Sequence, residues 1–192
     1  MSDAPVSDIR QHSERSVPEA AAGILAAGYV AHVGFVEDGQ PYVIPFSYGF
    51  EPGEPARIHL HGATGGRALE AIASGATVCV EVTLLDGLVY SRTALYHSMN
   101  YRSAVAFGRG RAVTDPGEKR AILESMIARN FEGRVAGRDY EPSPDAHLST
   151  TSVVTITVER LSAKARRGGP KGPRDADPDA PGTSGVIPLD HR

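Results

Sequence analysis

The stretch of chain that decides the fold is residues 29–50, which read YVAHVGFVEDGQPYVIPFSYGF. Apolar residues alternate with other residues on both sides of a short polar segment that contains Asp38 and Gly39. Alternation at period two is typical of strands with one buried face, and an acidic turn with glycine between two such runs predicts a β-hairpin. On its second strand the buried face would carry Tyr42, Ile44, Phe46, Tyr48 and Phe50.

Four more segments alternate in the same way. Strands are predicted at residues 57–61, 78–84, 103–113 and 151–158. The pair Asp86-Gly87 predicts a turn, after which residues 88–93 would return as a further strand. In 103–113 one face carries only alanine and glycine, and a face that small lets another backbone or a flat ligand approach closely.

Helices are predicted between and beside these strands. Ser16-Val-Pro-Glu19 has the form of a capping box and precedes an alanine-rich stretch, and residues 64–74 have helical spacing. Asp115-Pro116 predicts the start of a third helix, because aspartate caps helices and proline is tolerated in the first turn. Six or seven short strands with peripheral helices predict a mainly β fold, a small closed or nearly closed antiparallel barrel.

Length and composition narrow the class of protein. The 192 residues suit one domain, which we place at residues 16–161, between an N-terminal arm (1–15) and an irregular tail rich in proline and glycine (162–192). The net charge of −3 disfavours general nucleic-acid binding. The single cysteine, Cys79, excludes an intrachain disulfide framework, and the polar first residues lack the order of a secretory signal. We therefore expect a cytoplasmic protein.

His59 and His61 lie on one face of a predicted strand, an arrangement that is able to ligate a metal. No carboxylate or cysteine at ligand spacing completes the set, so a structural or ligand-facing role is favoured and no metal site is predicted. Cys79 lies among valines in mid-strand and is interpreted as a small buried residue. No nucleophile elbow is present, which excludes the serine hydrolases that use one.

Two further segments are candidates for a binding site. His61-Gly-Ala-Thr-Gly-Gly-Arg67 leads from a strand into a helix, where free backbone N–H groups and the Arg67 guanidinium suit a phosphate, although an ordinary glycine-rich helix entry fits equally well. His97-Ser-Met-Asn-Tyr-Arg-Ser103 is polar and carries a cation. By itself it is either a solvated loop or a segment that closes on a ligand.

These segments together resemble a known family. Residues 42–50, 58–67, 78–82 and 97–108 have the order and spacing of the pyridoxamine 5′-phosphate oxidase-like superfamily, and the branch most similar is that of the flavin-nucleotide-binding proteins that include the nitroimidazole reductases. The resemblance spans about residues 16–161. It implies a six-stranded antiparallel split β-barrel, a homodimer, and FMN held at the subunit interface.

The resemblance also implies site residues. His61 corresponds to a histidine near the flavin and is the candidate for a catalytic role on the substrate side. The cofactor-binding residues implied are Pro45, Phe46, Ser47 and Tyr48 along the ring, Thr64, Gly66 and Arg67 at the phosphate, and Asn100, Tyr101, Arg102 and Ser103, which would approach the flavin from the same subunit or from its partner. Where the parent oxidase has Ser-Arg-Lys, this chain has Gly66-Arg67-Ala68, and it contains no tryptophan. Vitamin B6 phosphate is therefore not the implied substrate.

The function expected from the resemblance is an FMN-dependent oxidoreductase. It would pass electrons from a reduced nicotinamide through the flavin to a small organic acceptor, with the protein supplying binding and electrostatics around the ring. Two alternatives remain open at this point. One is a flavin-binding carrier or sensor without turnover, holding FMN, a related flavin or a deazaflavin. The other is a haem-binding split barrel, with His59, His61 or His97 as axial ligands.

Overall fold

The computed structural model describes residues 8–190, so residues 1–7 of the predicted arm and residues 191–192 of the predicted tail lie outside it. The strands are β1 (Val30–Glu37), β2 (Gln40–Ser47), β3 (Gly49–Glu51), β4 (Arg57–Ala63), β5 (Thr77–Tyr90), β6 (Ser98–Ala112), β7 (Thr151–Arg166) and β8 (Gly185–Pro188). The α-helices are α1 (Ala21–Ala27), α2 (Arg67–Ala73), α3 (Pro116–Asn130) and α4 (Asp145–Ser149). None of the helices described is long and apolar enough to cross a bilayer.

All strands belong to one antiparallel sheet that does not close on itself. The order is β2-β1-β5-β6-β7-β4-β3, and β8 pairs with β5 beside this path. The structure therefore confirms the split β-barrel, with two short strands, β3 and β8, in addition to six long ones. Within residues 8–190, β2 pairs only with β1, and β4 pairs only with β7 beyond His59. These two free edges are the open side of the barrel.

The hairpin predicted from residues 29–50 is confirmed for residues 30–47, whereas Gly49–Glu51 is a separate strand that pairs with β4. β1 and β2 pair from Val30 with Ser47 to Glu37 with Gln40. On β1 Ala31, Val33 and Phe35 are buried, and their neighbours on the strand face outward. The core is completed by the alternating apolar residues of β4 to β7 and by one face each of α1 and α2. The third predicted helix is also confirmed, since the Asp115 carboxylate accepts a hydrogen bond from the Glu118 N–H at 2.7 Å.

The predicted turn at Asp86-Gly87 is wrong, because β5 continues through it as one strand of 14 residues with a bulge. The guanidinium of Arg102 binds the Asp86 carboxylate through two donors, at 2.9 and 2.6 Å. At Gly87 a Cβ would lie 2.9 Å from the carbonyl oxygen of Ile187 in β8. Asp86 and Gly87 therefore lie at a bulge in β5, where the contacts with Arg102 and β8 keep the strand continuous. Glycine is found at bulges as well as at turns.

The capping box predicted at Ser16 is not formed. Pro18–Ala20 is a turn of 3₁₀-helix, and α1 begins after it without a side-chain cap. The segment is held by the sheet, because the Val17 N–H donates to the Ala163 carbonyl of β7 at 3.0 Å. Contact with β7 thus replaces the local cap.

The end of the described chain folds back onto the barrel. β7 continues beyond the predicted end of its strand, to Arg166, and β8 then pairs with β5 from Gly87 to Tyr90. Between β7 and β8 the Asp175 carboxylate accepts hydrogen bonds from the Ser91 hydroxyl and from the N–H groups of Arg92 and Gly172. The irregular tail is therefore tied at two places.

The small face of β6 packs against protein. Ala104 and Ala106 are buried in the core, a Cβ on Gly108 would lie 2.1 Å from the carbonyl oxygen of Thr157, and one on Gly110 would lie 2.2 Å from the Ile72 side chain. Of the two roles considered for this face, close approach of another backbone is confirmed. Gly108 and Gly110 thus serve the packing of β7 and α2.

Gly108→Ala is expected to lower the free energy of unfolding by about 2 kcal/mol, because β7 must shift to admit the added methyl group. Urea denaturation measures the change. The matched control is Gly23→Ala in α1, where a Cβ meets no atom within 4 Å and alanine favours the helix. Equal midpoints for Gly108→Ala and the wild type would contradict the packing role.

Candidate functional site

His61 lies where β4 loses its second neighbour. His59 is the last residue of β4 that pairs with β3, whereas His61 pairs only with Val153 of β7. The Nδ1 atom of His61 is buried and has no hydrogen-bond partner among residues 8–190. Burial lowers the pKa of His61 below its usual 6.5, so the imidazole is neutral at pH 7. A buried ring nitrogen without a partner marks a position where a ligand or water completes the bonding.

A cleft of about 350 Å³ opens beside His61, between the free edge of β4 and α3. The helix supplies an apolar wall made of Leu123, Met126, Ile127 and Phe131. Ser47 of β2 and Thr151 of β7 add hydroxyl groups. The structure therefore brings together two of the predicted site residues, His61 and Ser47, in a cleft with one neutral imidazole and mostly apolar walls.

The other predicted residues of β2 alternate in exposure. Pro45 and Ser47 are exposed, whereas Phe46 is half-buried against the core. Pro45 and Ser47 are thus accessible to a bound ring, and Phe46 is less accessible.

Tyr48 differs from the expectation that it lies along a ligand. Its side chain is fully buried, and its hydroxyl donates to the Leu25 carbonyl at 2.5 Å. The guanidinium of Arg129 lies 4.6 Å from the centre of the tyrosine ring and donates to the carbonyls of Tyr48, Leu25, Ala26 and Gly28. Burial raises the pKa of Tyr48 to about 12. Tyr48 is a core residue that joins α1 to α3, with no surface free for a cofactor.

The glycine-rich loop between β4 and α2 is partly engaged with its own surroundings. The Thr64 hydroxyl donates to the Thr150 carbonyl at 2.8 Å, and the Gly66 N–H donates to the Ala63 carbonyl at 3.3 Å. Gly65 has a φ of +84°, which glycine adopts without strain. Of the donors predicted for a phosphate, the Gly66 N–H is therefore already used, and the Arg67 guanidinium becomes the main candidate.

Arg67 is half-exposed and already oriented. Its Nη1 donates to the Glu37 carboxylate and, at 3.0 Å, to the Tyr42 hydroxyl, and the guanidinium lies 4.7 Å from the centre of the Tyr42 ring. Both hydrogen bonds use Nη1, which leaves the Nε and Nη2 donors without a protein partner in the described part of the chain. A guanidinium fork with free donors suits an anion such as a phosphate.

The predicted residues of β6 form a separate group. The Asn100 side chain donates to the Gly168 carbonyl at 3.1 Å and accepts from Arg166 at 2.6 Å, and Arg102 is paired with Asp86. Tyr101 and Ser103 are half-buried on the same strand. None of the four lines the cleft beside His61 within residues 8–190. One chain therefore divides the predicted cofactor residues between two regions.

His59 has a structural role. It is 6% exposed, its Nδ1 lies 3.0 Å from the Thr155 hydroxyl, and its Nε2 lies 3.4 Å from a Glu51 carboxylate oxygen. Burial lowers its pKa, and the neighbouring Glu51 opposes that change. His59 also lines a different cleft from His61. The two histidines therefore do not form a pair of ligands.

With this geometry in place, the chain can be compared with known proteins. A family model described as pyridoxamine 5′-phosphate oxidase matches residues 18–165. The chain belongs to that family. The resemblance found in residues 42–50, 58–67, 78–82 and 97–108 is thereby confirmed. None of the curated proteins matches this member of the family in sequence.

Several solved structures are similar to the structure of this chain. The flavocytochrome Anf3 from Azotobacter vinelandii has 28% identity and a TM-score of 0.82, and covers 97% of this chain and 85% of its own. An FAD and haem binding protein from Mycobacterium smegmatis has 31% identity and a TM-score of 0.79, covering 91% of this chain and 84% of its own. A structure described as a 5-nitroimidazole antibiotic resistance protein from Bacteroides thetaiotaomicron shares the fold, with 22% identity and a TM-score of 0.64. The match covers 78% of this chain and 86% of that protein.

Sequence reasoning missed how much of the site this family member builds from α3. Along α3 the apolar residues Ile122, Leu123, Met126, Ile127 and Phe131 recur at helical spacing, a pattern ordinarily typical of a face for the core. In the structure Met126 is buried, whereas Phe131 at the end of the helix is 57% exposed beside the cleft. An apolar stripe that extends beyond its buried part was the available signal, since large exposed apolar residues often mark a binding surface.

The lowered pKa values of His59 and His61 predict a loss of stability in acid. Below about pH 6.5 the unfolded chain binds protons that the folded chain does not, so the free energy of unfolding falls as the pH falls. We expect the thermal midpoint to decrease between about pH 7 and pH 5. His61→Gln, which cannot titrate, is expected to show a shallower decrease. Parallel curves for the wild type and His61→Gln would contradict the buried, neutral state of His61.

Proposed function

We propose that this protein is a flavin-dependent oxidoreductase whose flavin lies along the open edge between β2 and β4. The observation that carries the proposal is the neutral, unpartnered His61 beside Ser47 at one end of this edge. At the other end Arg67 is held by the Glu37 carboxylate and by Tyr42, with two donor groups unused. From Tyr42 to Ser47 the strand extends about 17 Å, a distance suited to an elongated ligand with a phosphate at one end and a ring at the other.

The residues of this chain would bind the flavin and orient the acceptor. When bound, the flavin supplies hydride acceptance from a reduced nicotinamide and electron transfer to a small organic acceptor. Arg67 would hold the phosphate, and Pro45 and Ser47 would position the ring. His61, neutral at pH 7, would orient the acceptor through a hydrogen bond at its ring nitrogen. We propose FMN as the flavin and the reducing cytoplasm as the location.

A homodimer is part of the proposal, because one chain does not gather all the predicted cofactor residues. An outer row across four strands, made of Val43, Gly34, Cys79 and Phe107, forms part of a face that has no described covering layer. Val43 is 68% exposed. Covering such a face with a second copy would remove apolar surface from water and bring a partner's β6 residues toward the site. Sedimentation of the flavin-loaded protein tests this, and a monomeric mass would contradict it.

A second candidate function is haem binding. A neutral imidazole with a free nitrogen and an apolar wall suits an axial haem ligand, and His61 offers both. Of the three histidines considered, His59 is bonded through both nitrogens, and Nδ1 of His97 lies 3.1 Å from the Ala94 carbonyl. Two similar structures are described as a flavocytochrome and as an FAD and haem binding protein, which supports this candidate.

The absorption spectrum of freshly purified protein tests both candidates. The two visible bands of oxidised flavin support the first, and an intense Soret band supports the second, alone or beside the flavin. Addition of a reduced nicotinamide should then bleach the flavin bands, and an acceptor should restore them. A spectrum without either chromophore, unchanged after reconstitution with flavin and haem, would contradict both functions. Bound flavin that no reduced nicotinamide bleaches would favour a carrier or sensor.

A further inference from the structure

A second binding site is indicated by a groove outside the cleft beside His61. The groove has a volume of about 360 Å³ and lies between the N-terminal segment, the start of β6 and the end of β7. Four cationic side chains line it: Arg15, Arg166, Arg167 and Lys171. The one carboxylate among its described lining residues is Glu14, 3.7 Å from Nε of Arg15.

The positive charge of this groove is not balanced locally, although the chain as a whole has a net charge of −3. Within residues 8–190, neither Arg167 nor Lys171 forms an ion pair or a hydrogen bond. The other strongly polar cleft, beside His59, is different, because its arginines are paired with acids, as Arg57 is with Glu51 at 2.7 Å. A concave surface lined by unpaired charges of one sign concentrates the field and attracts ions of the opposite sign.

Part of the groove is held in place by hydrogen bonds. Arg166 donates through Nη1 to the Asn100 side chain at 2.6 Å and through Nη2 to the Gly169 carbonyl at 3.3 Å. Asn100 is in turn held by the Gly168 carbonyl at 3.1 Å. An oriented guanidinium loses less freedom when an anion binds, so these contacts favour binding.

The walls beside the cations are aromatic and apolar. Tyr96 is 44% exposed and Leu95 is 95% exposed, and both line the groove. Cations that suit phosphate oxygens, next to an exposed ring on which a base can stack, are the combination that recognises nucleotides. An inorganic anion would use only the cationic side chains, whereas a nucleotide would also use the exposed ring.

We propose that this groove binds the phosphate groups of a nucleotide, with the base against Tyr96. Two ligands could be the source of these phosphate groups. One is the protein's own flavin, whose pyrophosphate would bind here if the flavin is FAD. The other is a separate nucleotide with a pyrophosphate, such as a reduced nicotinamide cofactor. The proposal concerns residues outside the cleft beside His61. With the first source, the groove would hold the flavin phosphate in place of Arg67, so that arm rests on the proposed function; with the second source, the groove is independent of it.

Calorimetric titration of the purified protein with ADP tests the proposal. We expect binding that weakens as salt is added, because the attraction is largely electrostatic. The double variant Arg167→Gln, Lys171→Gln should bind ADP at least about tenfold more weakly, since it loses two charged donors without losing a described intramolecular contact. The matched control, Arg109→Gln with Arg160→Gln, removes two exposed cations elsewhere and should bind like the wild type.

The same titration on protein loaded with FAD separates the two sources. Loss of ADP binding after loading assigns the groove to the flavin, and the groove variant should then lose any preference for FAD over FMN. Retained ADP binding assigns the groove to a separate nucleotide. No binding of ADP by the wild type, or equal affinity in the groove variant and the wild type, would overturn the proposal.

Discussion

Replacing His61 with alanine is expected to lower kcat/KM for the electron acceptor about 100-fold while flavin stays bound. The buried Nδ1 of His61 has no partner in the described chain, so the side chain is free to act on a ligand. The phosphate and ring contacts proposed for the flavin come from other residues. Steady-state kinetics with a reduced nicotinamide, together with the flavin content of the purified variant, measure the effect.

His147→Ala is the matched control, because this histidine is exposed on α4 and lines none of the clefts described. Unchanged turnover of every accepted substrate in His61→Ala would remove His61 from the chemistry. If the protein carries haem, the same variant should lose the Soret band and keep the flavin bands. That result would identify His61 as a haem ligand.

Arg129→Met is expected to lower the free energy of unfolding by about 3 kcal/mol. The guanidinium donates to four backbone carbonyls, three of them at the end of α1 and just beyond it, and it covers the Tyr48 ring. Methionine keeps the apolar part of the side chain but leaves most of these carbonyls without a donor. Urea denaturation followed by circular dichroism measures the loss.

Arg120→Met is the control on the same helix. Arg120 is bonded to an exposed carboxylate, that of Asp145, and to the carbonyl of Ser143. Surface pairs of this kind contribute about 0–1 kcal/mol. If Arg129→Met unfolds at the same urea concentration as Arg120→Met, the carbonyl cluster is not a main contact between α1 and α3.

The alternation in residues 29–50 predicted the local structure well because one face of the hairpin packs toward the core, buried on β1 and half-buried on β2. The same alternation placed Tyr48 on the inner face, and the structure shows it fully buried there. The expectation that Tyr48 contacts a cofactor came only from the resemblance to the family. At this position the period of the strand was the better guide.

Features that depend on distant residues were not predictable from local sequence. Asp86-Gly87 has the composition of a turn, and only Arg102 and β8 make it part of a continuous strand. Arg129 bonds carbonyls about a hundred residues away, and backbone groups leave no pattern in a sequence. The groove that contains Lys171 likewise joins three distant segments, so its charge becomes evident only after folding.

The candidate site was predictable in part. His61 and Ser47 were both named from the sequence, and the structure places them in one cleft. The residues of β6 were named as well, but the described chain holds them apart from that cleft. In the proposed homodimer a second subunit would bring the β6 residues to the cleft beside His61. Contacts between subunits leave no local pattern in a sequence.

The pairing of β8 with β5 has a consequence for how the chain associates with other molecules. β8 covers the backbone of β5 from Gly87 to Tyr90, and Leu88 and Ile187 face one another across this ladder. Without β8 these residues would present an uncovered strand edge with unpaired N–H and C=O groups, which is a template for strand addition by another polypeptide. β8 thus replaces an exposed edge of the long strand β5 by an edge strand of only four residues, which is a poorer template, and a chain cut before Gly185 should associate with its neighbours more readily.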